Sequence, residues 1–228
     1  MNELDGIFLD MYGTLTAGDR AAVEGVCDDI VRDTGLSISA YELSVTWGER
    51  FFNALDFCNG DSFLTLFEIE LKTLRETMES LQKPVNPRPY IEKVSHYWRE
   101  PPLQPEVKEF LATVKYPICI VSNADRADAE SALAMNGIEV DHLVTSECAR
   151  SYKPDREIFE MALRQTGWRR ERVMHVGDSL HSDVGGAIIA GIRNGWLNRA
   201  HRIHDIGTHE PDYEFDDLLG LNRMLSDA

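Results

Sequence analysis

Three aspartates stand where short apolar runs of this chain stop. Gly6-Ile7-Phe8-Leu9 ends in Asp10, and the run Arg172–Val176 ends in Gly177-Asp178-Ser179, with Asp183 five residues after Asp178. Two further runs end in polar groups: Ile118–Val121 leads into Ser122-Asn123, and the loop after His142–Thr145 holds Lys153-Pro154. Apolar runs of this length read as buried strands, and open α/β sheets bind ligands at the carboxyl ends of their strands. Taken singly, each residue has a plain explanation, since Asp, Ser and Asn cap helices and Lys-Pro makes turns. Together they put three carboxylates, one ammonium and two small polar groups at one sheet edge. Carboxylates so close repel unless a cation neutralises them. Mg²⁺ takes carboxylate and carbonyl oxygens, and Lys153 supplies a second positive charge. Such a site suits a small anionic ester, held by metal and lysine while a carboxylate attacks in line.

The elements that must position these residues follow from periodicity. From Asp19 to about Trp98 the pattern is helical. Ser39 and Glu42 form a capping-box pattern ahead of Leu43, Trp47, Phe51 and Ala54. Asp61-Ser62 is expected to open another helix, with a stripe of Leu64, Phe67, Leu71, Leu74, Met78 and Leu81. Three prolines between Lys83 and Pro89 stop it, and a shorter helix carries Ile91, Val94 and Trp98. Beyond Pro101-Pro102 strands and helices alternate, which predicts a parallel sheet covered on both faces. Pro211–Phe215 reads as an edge strand before a last helix. The expected fold class is α/β, a doubly wound parallel sheet with an inserted all-helical unit. Residues 1–17 and 100–228 form the core and 18–99 the insert, hinged near Leu15–Asp19 and Arg99–Pro102.

Asp10-Met11-Tyr12-Gly13-Thr14, Ser122-Asn123, Lys153-Pro154-Asp155 and Gly177-Asp178-Ser179-x-x-x-Asp183 resemble, in order, the four motifs of the haloacid dehalogenase (HAD) superfamily. The helical insert resembles the cap that this family places between motifs one and two. The resemblance implies a Rossmann-like core and a covalent aspartyl intermediate on Asp10, with Lys153 neutralising it. Ser122, with Thr14, Asn123 and neighbouring backbone, would hold the transferring group. Asp10, Asp178, Asp183 and the carbonyl of Tyr12 would ligate Mg²⁺.

Residue 12 departs from the phosphatase pattern. Phosphatase members resemble Asp-x-Asp-Gly-Thr, whose second Asp is the general acid and base, and a phenol with a pKa near 10 is a poor substitute. Asp-x-Tyr-Gly-Thr resembles the 2-haloacid dehalogenases, which expel a halide and need no acid. Those enzymes, however, work without metal and bind the halide through an arginine at the start of the second cap helix. Here that stretch is Ser39-Ala40-Tyr41-Glu42-Leu43-Ser44, and Arg50, two turns on, could reach the site, although an exposed, salt-bridging arginine is the commoner case and the favoured reading. Three readings follow: a Mg²⁺-dependent phosphoric-ester hydrolase, which more residues support; a dehalogenase; and a degenerate member that binds phosphate without turnover. Trp47, Phe51, Phe52 and Phe57 could line a cap pocket, although their helical spacing favours packing within the cap.

The net charge of −16 argues against nucleic acid and anionic membrane surfaces as partners. No stretch has the apolar length of a span, and the start lacks a signal-peptide pattern, so a cytoplasmic protein is expected. Cys27, Cys58, Cys119 and Cys148 lack Cys-x-x-Cys spacing and read as reduced, mostly buried thiols. His201, His204 and His209 read as surface groups.

Overall fold

The computed structural model describes residues 3–203 and 209–226, so His204 lies outside the described residues. Strand β1 (Gly6–Leu9) is followed by four helices, α1 (Asp19–Thr34), α2 (Ala40–Phe57), α3 (Leu66–Ser80) and α4 (Arg88–Arg99). Then come α5 (Val107–Thr113), β2 (Ile118–Ser122), α6 (Arg126–Met135), β3 (His142–Thr145), the short α7 (Ser146–Ala149) and α8 (Arg156–Thr166). The chain closes with β4 (Val173–Gly177), a wide turn over Leu180–Gly185, α9 (Gly186–Ala190), β5 (Arg193–Leu197), β6 (Tyr213–Phe215) and α10 (Leu218–Ser226).

All six strands are parallel, in the order β3-β2-β1-β4-β5-β6. The chain steps outward from β1 to β2 and β3, then returns to the other side of β1 to lay down β4. The order therefore reverses between β1 and β4, the position where doubly wound sheets bind ligands. Register brings the polar strand ends level: Leu9 pairs with Ile120 on one side and Val176 on the other, so Asp10 follows at the height of Val121 and Gly177. Alternation along the strands fills both faces. Ile7, Leu9, Ile120, Met174 and Val176 pack with Phe110 and Leu221, whereas Phe8, Cys119, Val121 and Val173 pack with Phe159 and Ala187.

Helices α1–α4 bury a core of their own, including Cys27, Ile30, Leu43, Trp47, Leu74, Met78, Ile91 and Val94. The Ser39–Glu42 capping box forms as expected. Asp61-Ser62 opens no α-helix: Gly60–Ser62 is one 3₁₀ turn, and α3 starts later, at Leu66. Thr65 and Glu68 make the capping box that decides it, and the Asp125 carboxylate accepts from the backbone N–H groups of Leu66 (2.7 Å) and Phe67 (3.0 Å).

The two connections expected as hinges are joined to each other. Thr16 and Leu103 form an antiparallel bridge, Ala17 N–H donates to the Pro102 carbonyl (2.9 Å) and Gln104 N–H to that of Leu15 (2.9 Å). A second contact lies at the far end of the helical unit, where Tyr152 donates through its hydroxyl to the Leu64 carbonyl (2.8 Å) and through its N–H to Asn59 Oδ1 (2.7 Å). Cys27, Cys58 and Cys119 are buried, Cys148 is half-buried, and all four are free thiols. His201 and His209 are exposed. Among the described residues no helix is long and apolar enough to cross a membrane.

Candidate active site

Lys153 is the hub of the strand-end cluster. The residue is 2 % exposed, and its ammonium donates to Asp10 Oδ1 (2.7 Å), Asp183 Oδ1 (2.7 Å) and the Val121 carbonyl (2.8 Å). A buried ammonium needs such compensation, and the two carboxylates hold its pKa above the usual lysine range against the opposing effect of burial. Asn123 fixes the lysine's backbone: its Oδ1 accepts from Lys153 N–H (2.7 Å) and its Nδ2 donates to the Lys153 carbonyl (3.0 Å). The amide expected to touch substrate is thus engaged in positioning the lysine.

Asp183 receives three donors, Lys153, the Ser179 N–H (2.9 Å) and His175 Nε2 (2.9 Å). Burial alone would raise its pKa, but Lys153 and His175 hold it well below the ordinary carboxylate range. Asp178 is the opposite case. Burial, then the charges of Asp10 and Asp183, push it up, and no ion pair to it forms among the described residues. Asp10 is also raised, by burial first, with Lys153 opposing. Carboxylate oxygens of Asp10, Asp178 and Asp183 all lie within 4.8 Å of one another. This donor set fits a hard divalent cation: all oxygen, three carboxylates against one ammonium, one of them in no ion pair among the described residues. The glycines between them are required by space. A Cβ on Gly13, whose φ is +85°, would sit 2.7 Å from Asp178 Oδ1, and one on Gly177 2.2 Å from Asp183 Cγ.

Two hydroxyls remain for a ligand. Thr14 Oγ1 and Ser122 Oγ are buried without a hydrogen-bond partner among the described residues. Buried polar groups are mostly hydrogen-bonded, so these two hydroxyls beside the carboxylates are open acceptors and donors for whatever enters the site.

Tyr12 points away from proton transfer. Its hydroxyl donates to the Trp98 carbonyl (2.6 Å), and its ring meets the Trp98 indole edge-on at 5.0 Å. Burial first, then the charge of Asp128, hold the phenol far above its usual range. Arg50 lies 3.7 Å from Glu76 of α3 and is absent from the cavity walls of the helical unit. Trp47, Phe51 and Phe52 do line that cavity, whereas Phe57 is 80 % exposed.

The motifs did not disclose the residues that brace the catalytic loops. Arg199 donates to the carbonyls of Gly13 (2.9 Å) and Thr14 (2.8 Å), Arg202 to that of Asp178, and His175 supports Asp183 from inside β4. No motif covers Arg199 and Arg202, which follow β5, or His175 within β4, so the sequence carried no signal for this role.

Comparison with known proteins matches this geometry to a family. The model for haloacid dehalogenase-like hydrolases covers residues 4–191. An (S)-2-haloacid dehalogenase of Pseudomonas sp. (strain YL) is 26 % identical over 237 residues, covering all of this chain and 97 % of that protein. The pyrimidine 5'-nucleotidase YjjG of Escherichia coli (strain K12) is 37 % identical over 111 residues, 47 % of this chain and 49 % of that one. The HAD hydrolase YfnB of Bacillus subtilis, solved with magnesium, superposes with a TM-score of 0.80 at 17 % identity, covering 99 % of this chain and all of that one. With a six-stranded parallel sheet, a helical insertion after β1 and a family match over most of its length, the chain belongs to the haloacid dehalogenase-like hydrolases.

Proposed function

We propose that the chain hydrolyses a small phosphoric monoester with the help of Mg²⁺, through an aspartyl intermediate on Asp10. The observation that carries this reading is the third carboxylate: Asp178 stands beside Asp10 and Asp183, its carboxylate forms no ion pair among the described residues, Arg202 being bonded to its carbonyl, and it makes sense as a metal ligand. Asp10, Asp178, Asp183 and the Tyr12 carbonyl would hold the cation, which supplies charge neutralisation of the phosphoryl oxygens. Asp10 attacks phosphorus, the P–O bond to the alcohol breaks, and a phosphoaspartate forms. Lys153 holds the Asp10 carboxylate in place and offsets its charge. Thr14 and Ser122 have free hydroxyls for phosphoryl oxygens. Water then attacks phosphorus, releasing phosphate and restoring Asp10. Because the Tyr12 hydroxyl is committed to Trp98, the departing alkoxide takes its proton from solvent or from the substrate side, and turnover is slow unless the leaving group is acidic.

Tyr12 is also the observation that favours a second reading, C–halogen hydrolysis. There Asp10 attacks carbon, halide leaves without a proton, and water cleaves the ester. The full-length similarity to an (S)-2-haloacid dehalogenase supports it.

The experiment is release of phosphate from an aryl phosphate and of chloride from 2-chloropropionate, each with Mg²⁺ and with EDTA, against Asp10→Asn. Metal-dependent phosphate release lost in the variant is expected. Chloride release indifferent to EDTA would replace the first reading by the second. Neither product from a folded protein would overturn both and leave a member that binds anions without turnover.

A further inference from the structure

A cavity of about 260 Å³ lies within the helical unit, walled by Trp47, Phe51 and Phe52 of α2 and Trp98 of α4, with Glu70 of α3 at one end. It adjoins the strand-end cluster. Trp98 holds Tyr12 through its carbonyl, and Asp19, on the cavity wall, is close enough for its charge to act on Asp178. Nothing in the hydrolytic site uses Glu70.

The polar handles of the walls are taken. Trp47 Nε1–H donates to Thr73 Oγ1 (3.0 Å) and Trp98 Nε1–H to Glu70 Oε1 (2.8 Å). With those N–H groups engaged, what the indoles offer the cavity is apolar, π-rich surface. Glu70 is 3 % exposed and forms no ion pair among the described residues. A buried carboxyl without a cation is costly, and its partner must then be a proton or a ligand. Arg20 also lines the cavity, beside Asp19, but forms no ion pair with Glu70: its side chain is 74 % exposed, bonds Glu24 at 2.8 Å and lies over the Tyr41 ring. The other charges near Glu70 are mostly acidic. Asp125 and Asp128 act on it from the start of α6, Asp128 itself being paired with Arg99 (2.7 Å), and the Tyr152 phenol lies nearby.

We propose that this cavity binds an organic cation, an alkylammonium group seated between the aromatic faces with the Glu70 carboxylate as its counter-ion. Aromatic rings around a carboxylate are a chemistry suited to ammonium recognition, because ring quadrupole and carboxylate attract the same charge. The volume suits a group of metabolite size. On the phosphatase reading above, on which this extension alone rests, the cation is the leaving-group end of the ester. Linkage gives the binding a sign. Burial, with Asp125 and Asp128, pushes the free Glu70 carboxyl up to about 8, so an arriving cation displaces a proton and its affinity falls as pH drops below that value.

The test is calorimetric titration of the full chain with choline and with its neutral tert-butyl isostere, in the parent, Glu70→Gln and Phe51→Leu. No turnover enters the readout, so a failed phosphatase assay leaves the result intact, and a failed titration leaves the phosphatase intact. Choline is expected to bind, the isostere and Glu70→Gln to show roughly tenfold or more loss of affinity, and Phe51→Leu a smaller one. Equal binding of the isostere, choline binding undiminished by Glu70→Gln, or no choline binding to a parent with a normal melting transition would each overturn the proposal.

Discussion

At residue 12 one hydrogen bond decides what a side chain can do. A tyrosine beside a nucleophilic aspartate invites the idea of a proton donor, but the Tyr12 hydroxyl is spent on the Trp98 carbonyl at 2.6 Å and lies in a buried, acid-lined setting that raises its pKa. Tyr12→Phe is therefore expected to leave kcat and its pH profile close to the parent's, while lowering stability by about 1–2 kcal/mol because the Trp98 carbonyl loses its donor. Steady-state rates beside denaturant melts would show it, and a large fall in kcat at unchanged stability would reassign the phenol to the chemistry. Residue types at and just beyond strand ends made Asp10, Lys153, Asp178 and Asp183 legible in the sequence, because Asp10 and Asp178 close apolar runs and Lys153 lies in the loop after another. Asn123 and Arg50 show the limit of that method. A side chain's partners are set by elements distant in sequence, here Lys153 for Asn123 and Glu76 for Arg50. Glu70 stayed hidden for the same reason. It lies in the buried set Leu66, Ile69, Glu70, Thr73 and Leu74, and a glutamate in a helix reads as solvated until its neighbours are known.

Element boundaries followed the strongest local signal wherever two did not compete. Around residue 61 two did. Asp61-Ser62 carries cap-type residues, but only Thr65 has a glutamate three positions on, and only there does the carboxylate of Asp125 meet the exposed N–H groups. That carboxylate follows motif two, so the loop that presents Ser122 and Asn123 also holds the first turn of α3. Asp125→Ala should cost about 1–2 kcal/mol, and hydrogen exchange should quicken selectively at the start of α3, with Asp125→Asn milder in both. Exchange that quickened across the whole sheet instead would mean that the aspartate supports the core and not the helix. The same contact explains how four helices with a core of their own keep a fixed place over the sheet: their connections are zipped at Thr16–Leu103, and their far end is tied through Tyr152 and Asp125.

For the molecule as a whole, the switch in strand order gathers carboxylates from β1 and from the segment after β4 at one point, in a chain already carrying a net charge of −16. The alternation of strands and helices made the parallel sheet legible, but not the order of its strands. What alternation could not convey is which carboxylate lacks a partner. Folding brings Asp178 against Asp10 and Asp183 without a salt bridge of its own among the described residues, so the metal-free protein carries a repulsion there that Lys153 and Arg202 offset only in part. Two separate rises in melting temperature follow. A divalent cation that binds only the folded state stabilises it by mass action, by about 2.7 kcal/mol at a hundredfold excess over Kd, so Mg²⁺ should raise the parent's Tm. Asp178→Asn removes one of the repelling charges, so without metal it should melt above the parent, and Mg²⁺ should move it little. Scanning calorimetry of both proteins with Mg²⁺ and with EDTA separates the two effects. A parent indifferent to Mg²⁺ would count against a metal at this edge, and a variant that melts lower than the metal-free parent would mean that Asp178 is held by interactions stronger than the repulsion it feels.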